Sequence, residues 1–148
     1  MKNKLEYEYT DGSTSANFDE NKTFLGIRIY EADEKHHFTL APKDLCSGKD
    51  WYDSKVECEK NHVWMPFKHE CQIIYDNHDE INEMLKIAGG APLENDKFYW
   101  SSSEYYSIYA WVFCTGSGAN NGGVDRYDKD YTYNGITSHV VRPVLASF

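Results

Sequence analysis

Four cysteines, six histidines and a run of three serines are the side chains of this chain best suited to covalent or metal chemistry. The cysteines are Cys46, Cys58, Cys71 and Cys114. No Cys-x-x-Cys occurs, and no Cys/His spacing matches a zinc site. Cys58 and Cys71 fall on apolar helix positions, where a free Cys acts as a small hydrophobe. All four are expected to be thiols, with a Cys46–Cys58 bridge as the alternative. None of His36, His37, His62, His69, His78 and His139 has zinc-protease spacing, so each reads as a surface or core residue. Ser101, Ser102 and Ser103 look like a catalytic cluster, but hydroxyls in a row more often satisfy backbone groups in a turn. Asp125, Asp128 and Asp130 put three acids in one loop. Calcium needs several convergent oxygens at about 2.3–2.6 Å, and solvated carboxylates are the simpler account. Neither a glycine-rich phosphate loop nor a nucleophile elbow occurs. The expectation is a non-enzymatic protein with no cofactor and no obligatory metal.

Recognition is the chemistry the sequence favours. Residues 1–104 contain 30 Met, Trp, Lys, Gln and Glu residues. At that rate residues 105–139 would hold about 10, and they hold two, Trp111 and Lys129. An Asn codon with randomised adenines encodes Tyr, Ser, Asp, Gly, Thr, Ile, Val, Phe, Cys, Arg, Ala or His, but never those five. The segment therefore reads as randomised Asn codons around a few fixed residues. Turn-rich β structure is the plainer alternative, because it disfavours Glu, Lys and Met in any case. The composition is also that of a paratope, with rigid Tyr for area and small polar groups for adaptable hydrogen bonds. Six of the 12 tyrosines fall here. Candidate ligand-binding positions are Tyr105, Tyr106, Ser107, Ile108 and Tyr109 in a loop, then Val112 and Cys114 on the outer face of the next strand. Asn120, Asn121, Asp125, Arg126, Tyr127 and Asp128 follow, then Tyr131, Tyr133, Asn134 and Ile136. An exposed Ile108 or Cys114 would be odd on a surface selected for solubility and natural on a randomised one.

The elements that must hold this face are legible in outline. Residues 1–21 are polar and read as a loose arm or linker, leaving 22–148 as one domain. Leu25, Ile27 and Ile29 alternate, which predicts a strand over Lys22–Glu31. His37–Leu40 is a second strand, ended by Pro42. A helix is expected at Trp51–Lys60, with Asp50 as N-cap. Val63–Met65 is extended and stopped by Pro66. Lys68–Tyr75 is a helical segment. A second begins at Asn77 with Glu80 as a capping box, carries Ile81, Met84, Leu85 and Ala88, and ends at Gly89-Gly90. Strands are expected at Phe98–Ser103, Tyr109–Thr115 and Val140–Leu145, the middle one sending Trp111 and Phe113 one way and Val112 and Cys114 the other. The class is α+β.

A net charge of −9 repels phosphate backbones, and no basic patch with interleaved aromatics appears, so nucleic acid is not an expected partner. No apolar run reaches the 18 residues a spanning helix needs, so no membrane insertion is expected. No apolar stretch follows Lys2 and Lys4, so no signal peptide is read there.

Landmarks stand in a fixed order: Asp50-Trp51-Tyr52-Asp53, Val63-Trp64-Met65-Pro66, Tyr99-Trp100-Ser101-Ser102-Ser103-Glu104, Ala110-Trp111 and Val141-Arg142-Pro143-Val144. The combination resembles the C-type-lectin-like domains of bacteria and their phages. Within them it resembles the Trp-Ser-Ser-Ser/Thr-Glu…Val-Arg-Pro-Val proteins and the variable proteins of diversity-generating retroelements. It covers roughly residues 36–148. The resemblance implies a C-type-lectin-like fold, with two helices packed on small antiparallel sheets and a loop-rich C-terminal half whose variable region spans about 105–139. It implies a receptor- or ligand-binding display protein of phage tail-tip or cell-surface type. Its partner would be a protein or glycan on a host or neighbouring cell, and assembly into a homo-oligomer is compatible with that role. Trp51, Trp64, Trp100 and Trp111 would be core, and Glu104 and Arg142 a charged pair fastening the sheet. Phe67 departs from the pattern, since relatives place a small hydroxyl cap there, at a cost of about 1 kcal/mol. The lectin tripeptides for calcium-bound sugar are missing. Two alternatives stay open: an undiversified adhesin or carbohydrate-binding domain, and an enzyme of the formylglycine-generating type, whose paired-thiol chemistry a single C-terminal-half cysteine does not support.

Overall fold

A computed structural model describes residues 2–116, 123–130 and 139–145. The elements in chain order are β1 (Leu5–Tyr9), β2 (Thr14–Ser15), β3 (Phe24–Tyr30), β4 (His37–Leu40) and β5 (Cys46–Ser47), then α1 (Trp51–Lys60), β6 (Val63–Trp64), α2 (Lys68–Asp76) and α3 (His78–Ala88), and finally β7 (Phe98–Tyr105), β8 (Tyr109–Phe113), β9 (Val124–Asp128), β10 (His139–Val141) and β11 (Val144–Leu145). The class is α+β, with three helices and two sheets among the described residues. The six-stranded sheet runs β2-β1-β3-β4-β11-β6 and is antiparallel throughout. The five-stranded sheet runs β5-β10-β7-β8-β9, and only its β10–β7 pair is parallel.

The loose-arm reading of residues 1–21 is corrected. In Leu5-Glu6-Tyr7-Glu8-Tyr9 every second side chain turns inward, and Tyr7 and Tyr9 are buried in the main core. The outward glutamates are paired across strands. Glu8 accepts from Arg28 Nε at 2.9 Å and Thr39 Oγ1 at 2.7 Å, and Glu6 accepts from the Tyr30 hydroxyl at 2.7 Å. A bulge on β3 sets Tyr9 opposite Phe24 and Glu8 opposite Gly26. It moves Phe24 into the core and takes Leu25 off the face of Ile27 and Ile29.

The helices start and stop for local reasons. Asp50 caps α1, its carboxylate accepting the Asp53 N–H at 2.8 Å. Phe67 at the head of α2 offers no side-chain acceptor, so the cap comes from elsewhere in the chain. Ser103 Oγ takes the Lys68 N–H at 2.8 Å, and Glu70 Oε1 takes the Phe67 N–H at 2.8 Å. Asn77 does not form the expected box with Glu80. Its side chain closes α2 by donating to the Ile73 carbonyl at 2.8 Å, and it accepts the Asn3 N–H at 3.1 Å. Gly89, at φ +81°, ends α3 in the left-handed conformation.

Two apolar clusters sit on opposite faces of the β7–β8 pair. One joins α2 and α3 to both sheets and includes Cys71, Ile74, Ile81, Leu85, Tyr99 and Phe113. The other packs α1 on the far side through Trp51, Cys58, Trp100, Ala110, Val112 and Val141. Cys46, Cys58, Cys71 and Cys114 are free thiols. Burial pushes the Cys58 thiol up to about 12 and raises that of Cys71. No helix among the described residues is long and apolar enough to cross a membrane.

Candidate binding face

β7 and β8 form a hairpin that ends in Tyr106, Ser107 and Ile108. Tyr106 is 74% exposed and Ile108 58%. Ser107, Arg126 and Asp128 are also exposed, while Tyr105, Tyr109, Asp125 and Tyr127 are half-buried. Tyr106 lies at φ +59°, a conformation that costs an L side chain with a bulky ring roughly 1–2 kcal/mol. Its ring meets that of Tyr105 edge to face at 4.6 Å.

Below the tip, each face of the sheet carries a cation on a tryptophan. On the α1 side this site is closed. Lys129 is buried, with its ammonium 4.5 Å from the Trp51 ring centroid. It donates to Glu104 Oε1 at 2.6 Å and to the Ser107 carbonyl at 2.9 Å. Lys129 lowers the Glu104 carboxyl below the usual range. Backbone bonds complete the knot, from Trp51 N to Lys129 O at 2.7 Å and from Lys129 N to Ile108 O at 2.9 Å. On the α2 side the site is open. The Lys68 ammonium stands 3.7 Å from the Trp111 centroid, and the Arg126 guanidinium 4.4 Å from Tyr105 and 6.0 Å from Trp111. Both cations are exposed, and neither joins an ion pair among the described residues.

The serine run stitches neighbouring elements together in this geometry. The Ser101 carbonyl accepts the Trp51 indole N–H at 2.8 Å, Ser102 N–H reaches the Pro66 carbonyl at 2.9 Å, and Ser103 caps α2.

Several expected positions are corrected. Val112 and Cys114 do not face outward. Both are buried, because the sheet is covered on two faces there: Val112 packs with Trp51 and Trp100, and the Cys114 thiol donates to the Asn95 carbonyl at 3.4 Å. Trp51 and Trp100 are core, but Trp64 is 39% exposed on a two-residue edge strand and Trp111 is only partly covered. Glu104 and Arg142 do not pair. Arg142 follows the end of β10, where the chain crosses between sheets. It bonds Asp44 at 2.8 Å and the Ala41 and Pro92 carbonyls at 3.4 Å. Of the Asp triplet, Asp125 accepts the Arg126 backbone N–H at 2.8 Å. Asn120, Asn121, Tyr131, Tyr133, Asn134 and Ile136 lie outside the described residues. Lys68 and Lys129 were not among the sequence candidates. The signal for Lys129 was that it is one of two residues of the depleted types in its segment.

No family model and no curated protein matches the chain.

Proposed function

We propose that the chain is a non-enzymatic binding module of C-type-lectin-like fold. Its β7–β8 hairpin and β9 display a diversified face to a protein or glycan on a host or neighbouring cell. One observation carries the reading. Of the codon-restricted types, only Trp111 and Lys129 remain in residues 105–139, and both are tied into the framework. Around them, Tyr106, Ser107, Ile108, Arg126 and Asp128 reach solvent, and an Asn codon could have become any of these five. A fixed scaffold under free positions would produce that division. Three helices on two antiparallel-rich sheets, with Trp51, Trp100 and Arg142 buried among them, support the fold part of the proposal. Tyr106 and Tyr105 supply large rigid area at modest entropic cost, as hot spots do. Many copies on a phage tail or cell surface would add avidity to a weak single site. The test is the DNA around the gene. The proposal expects a near-copy of the codons for residues 105–139, with adenines at the exposed positions, beside a reverse transcriptase gene. Their absence would leave an undiversified adhesin.

A further inference from the structure

We propose that the open site, Lys68 and Arg126 over the rings of Trp111 and Tyr105, receives a carboxylate from an acidic segment of a protein partner. The inference rests on the display reading for its location, and the closed site on the other face supplies the precedent. There Lys129 lies over Trp51 and a carboxylate, Glu104, completes it at 2.6 Å. The open site repeats the cation on its ring twice, at 3.7 Å and 4.4 Å, without the carboxylate. Asp125 stands opposite Val112, on the other face of β9 from Arg126, and Asp128, two residues along the Arg126 face, forms no ion pair with it.

Three arguments select the ligand. On a chain that carries −9 net, two adjacent cations outside any ion pair among the described residues are a local attraction for an anion. A guanidinium held against a ring has lost much of its freedom already and presents a planar fork that fits a carboxylate. Neutral sugars stack on open aromatic faces, and here the protein's own cations occupy faces of Trp111 and Tyr105. The exposed Phe67 beside Lys68 and Tyr106 beside Tyr105 add apolar area around the charge. An acidic loop with flanking apolar side chains matches that pattern.

The full chain, labelled with nitrogen-15, is titrated with three probes: a blocked glutamate–glycine peptide, its glutamine counterpart, and polysialic acid. The glutamate peptide is expected to shift the Trp111 indole signal and the glutamine peptide to leave it in place. Losing both cations, in a Lys68→Gln, Arg126→Gln variant, is expected to weaken peptide binding about tenfold or more, the scale of a charge-assisted pair. Lys60→Gln removes an exposed α1 cation elsewhere and is expected to change nothing. No shift with millimolar glutamate peptide overturns the proposal. So does an equal loss in Lys60→Gln, or binding of polysialic acid without the peptide. The search for a template copy of the codons is independent of this titration, so either idea can fail alone.

Discussion

Tyr106 carries its ring on a backbone that asparagine or glycine adopts more cheaply. At φ +59° the side chain is strained, and the edge-to-face contact with Tyr105 offsets only part of that, since the ring is 74% exposed. Tyr106→Asn is expected to raise stability by about 1 kcal/mol in urea unfolding, while removing the largest exposed ring of the tip. Unchanged or lowered stability would mean that Tyr106 is held by contacts with the fold. The neighbouring knot makes an opposite demand. Glu104→Ala would strand a buried ammonium on one carbonyl and a ring face, at a cost of about 2 kcal/mol. Adding Lys129→Met should return most of that, because the cost lies in the uncompensated charge and not in lost volume. If the double variant is no more stable than the single one, Lys129 acts through its particular bonds. Trp51 and Trp100 are core as the resemblance implied, whereas Trp64 and Trp111, rings of the same size, are not fully covered. Lys129 was not legible as buried, because lysine is ordinarily a solvated residue, and only the bonds to Glu104, Ser107 and Trp51 reveal what keeps it inside. The partner of Glu104 was misassigned for a related reason: sequence order carries no information about which lysine or arginine a strand end will meet.

Elements borrow from one another wherever the local sequence falls short. α2 begins at Phe67, a residue unable to cap, and Ser103 of β7 supplies the hydroxyl from 35 positions away. Ser103→Ala is therefore expected to cost about 1 kcal/mol, the amount the sequence alone would have charged to Phe67, and Phe67→Ser should compensate for it. If Ser103→Ala unfolds at the parental urea midpoint, water caps the helix instead. The boundaries of α1 and of β4 followed from the Asp50 cap and from the stop at Pro42. β1 was lost because its composition is polar, although Leu5, Tyr7 and Tyr9 alternate with two glutamates in plain period two. The glutamates read as solvent-facing, and pairing with Arg28, Thr39 and Tyr30 is what lets them lie on a sheet. Tyr9→Ala is expected to cost about 3–5 kcal/mol, the range for a fully buried ring, whereas an unattached arm would show no change. Val112 and Cys114 failed as surface positions for the reciprocal reason. Alternation identifies the two faces of a strand, but not whether a helix covers the second.

At the scale of the molecule, the β7–β8 pair is packed between two cores and only its far end is free. Gly123 shows how tightly this body is built: at φ +88° and against the Tyr75 ring, it leaves no space for a Cβ. The acid response of the whole fold should follow from the same packing. His139 begins β10 in the second core, within 4.5 to 5.4 Å, centroid to centroid, of the rings of Trp100, Tyr127 and Phe98. Burial lowers its pKa from 6.5 to about 4. The neutral imidazole is the form the folded protein holds, so above pH 6.5 protonation adds nothing to the unfolding balance. Below 6.5 the unfolded chain takes up a proton that the folded one refuses, and stability falls with pH until the folded pKa is reached near 4. The full span corresponds to roughly 3 kcal/mol. Urea midpoints measured between pH 7 and pH 4 should decline over this window, and His139→Phe should flatten the decline while keeping the aromatic contacts. The remaining slope would then be left to the carboxylates, among which Glu70, raised by burial, acts in the opposite sense to His139. An unaltered slope in His139→Phe, with the variant folded at neutral pH, would mean that β10 opens to water around His139 before it protonates.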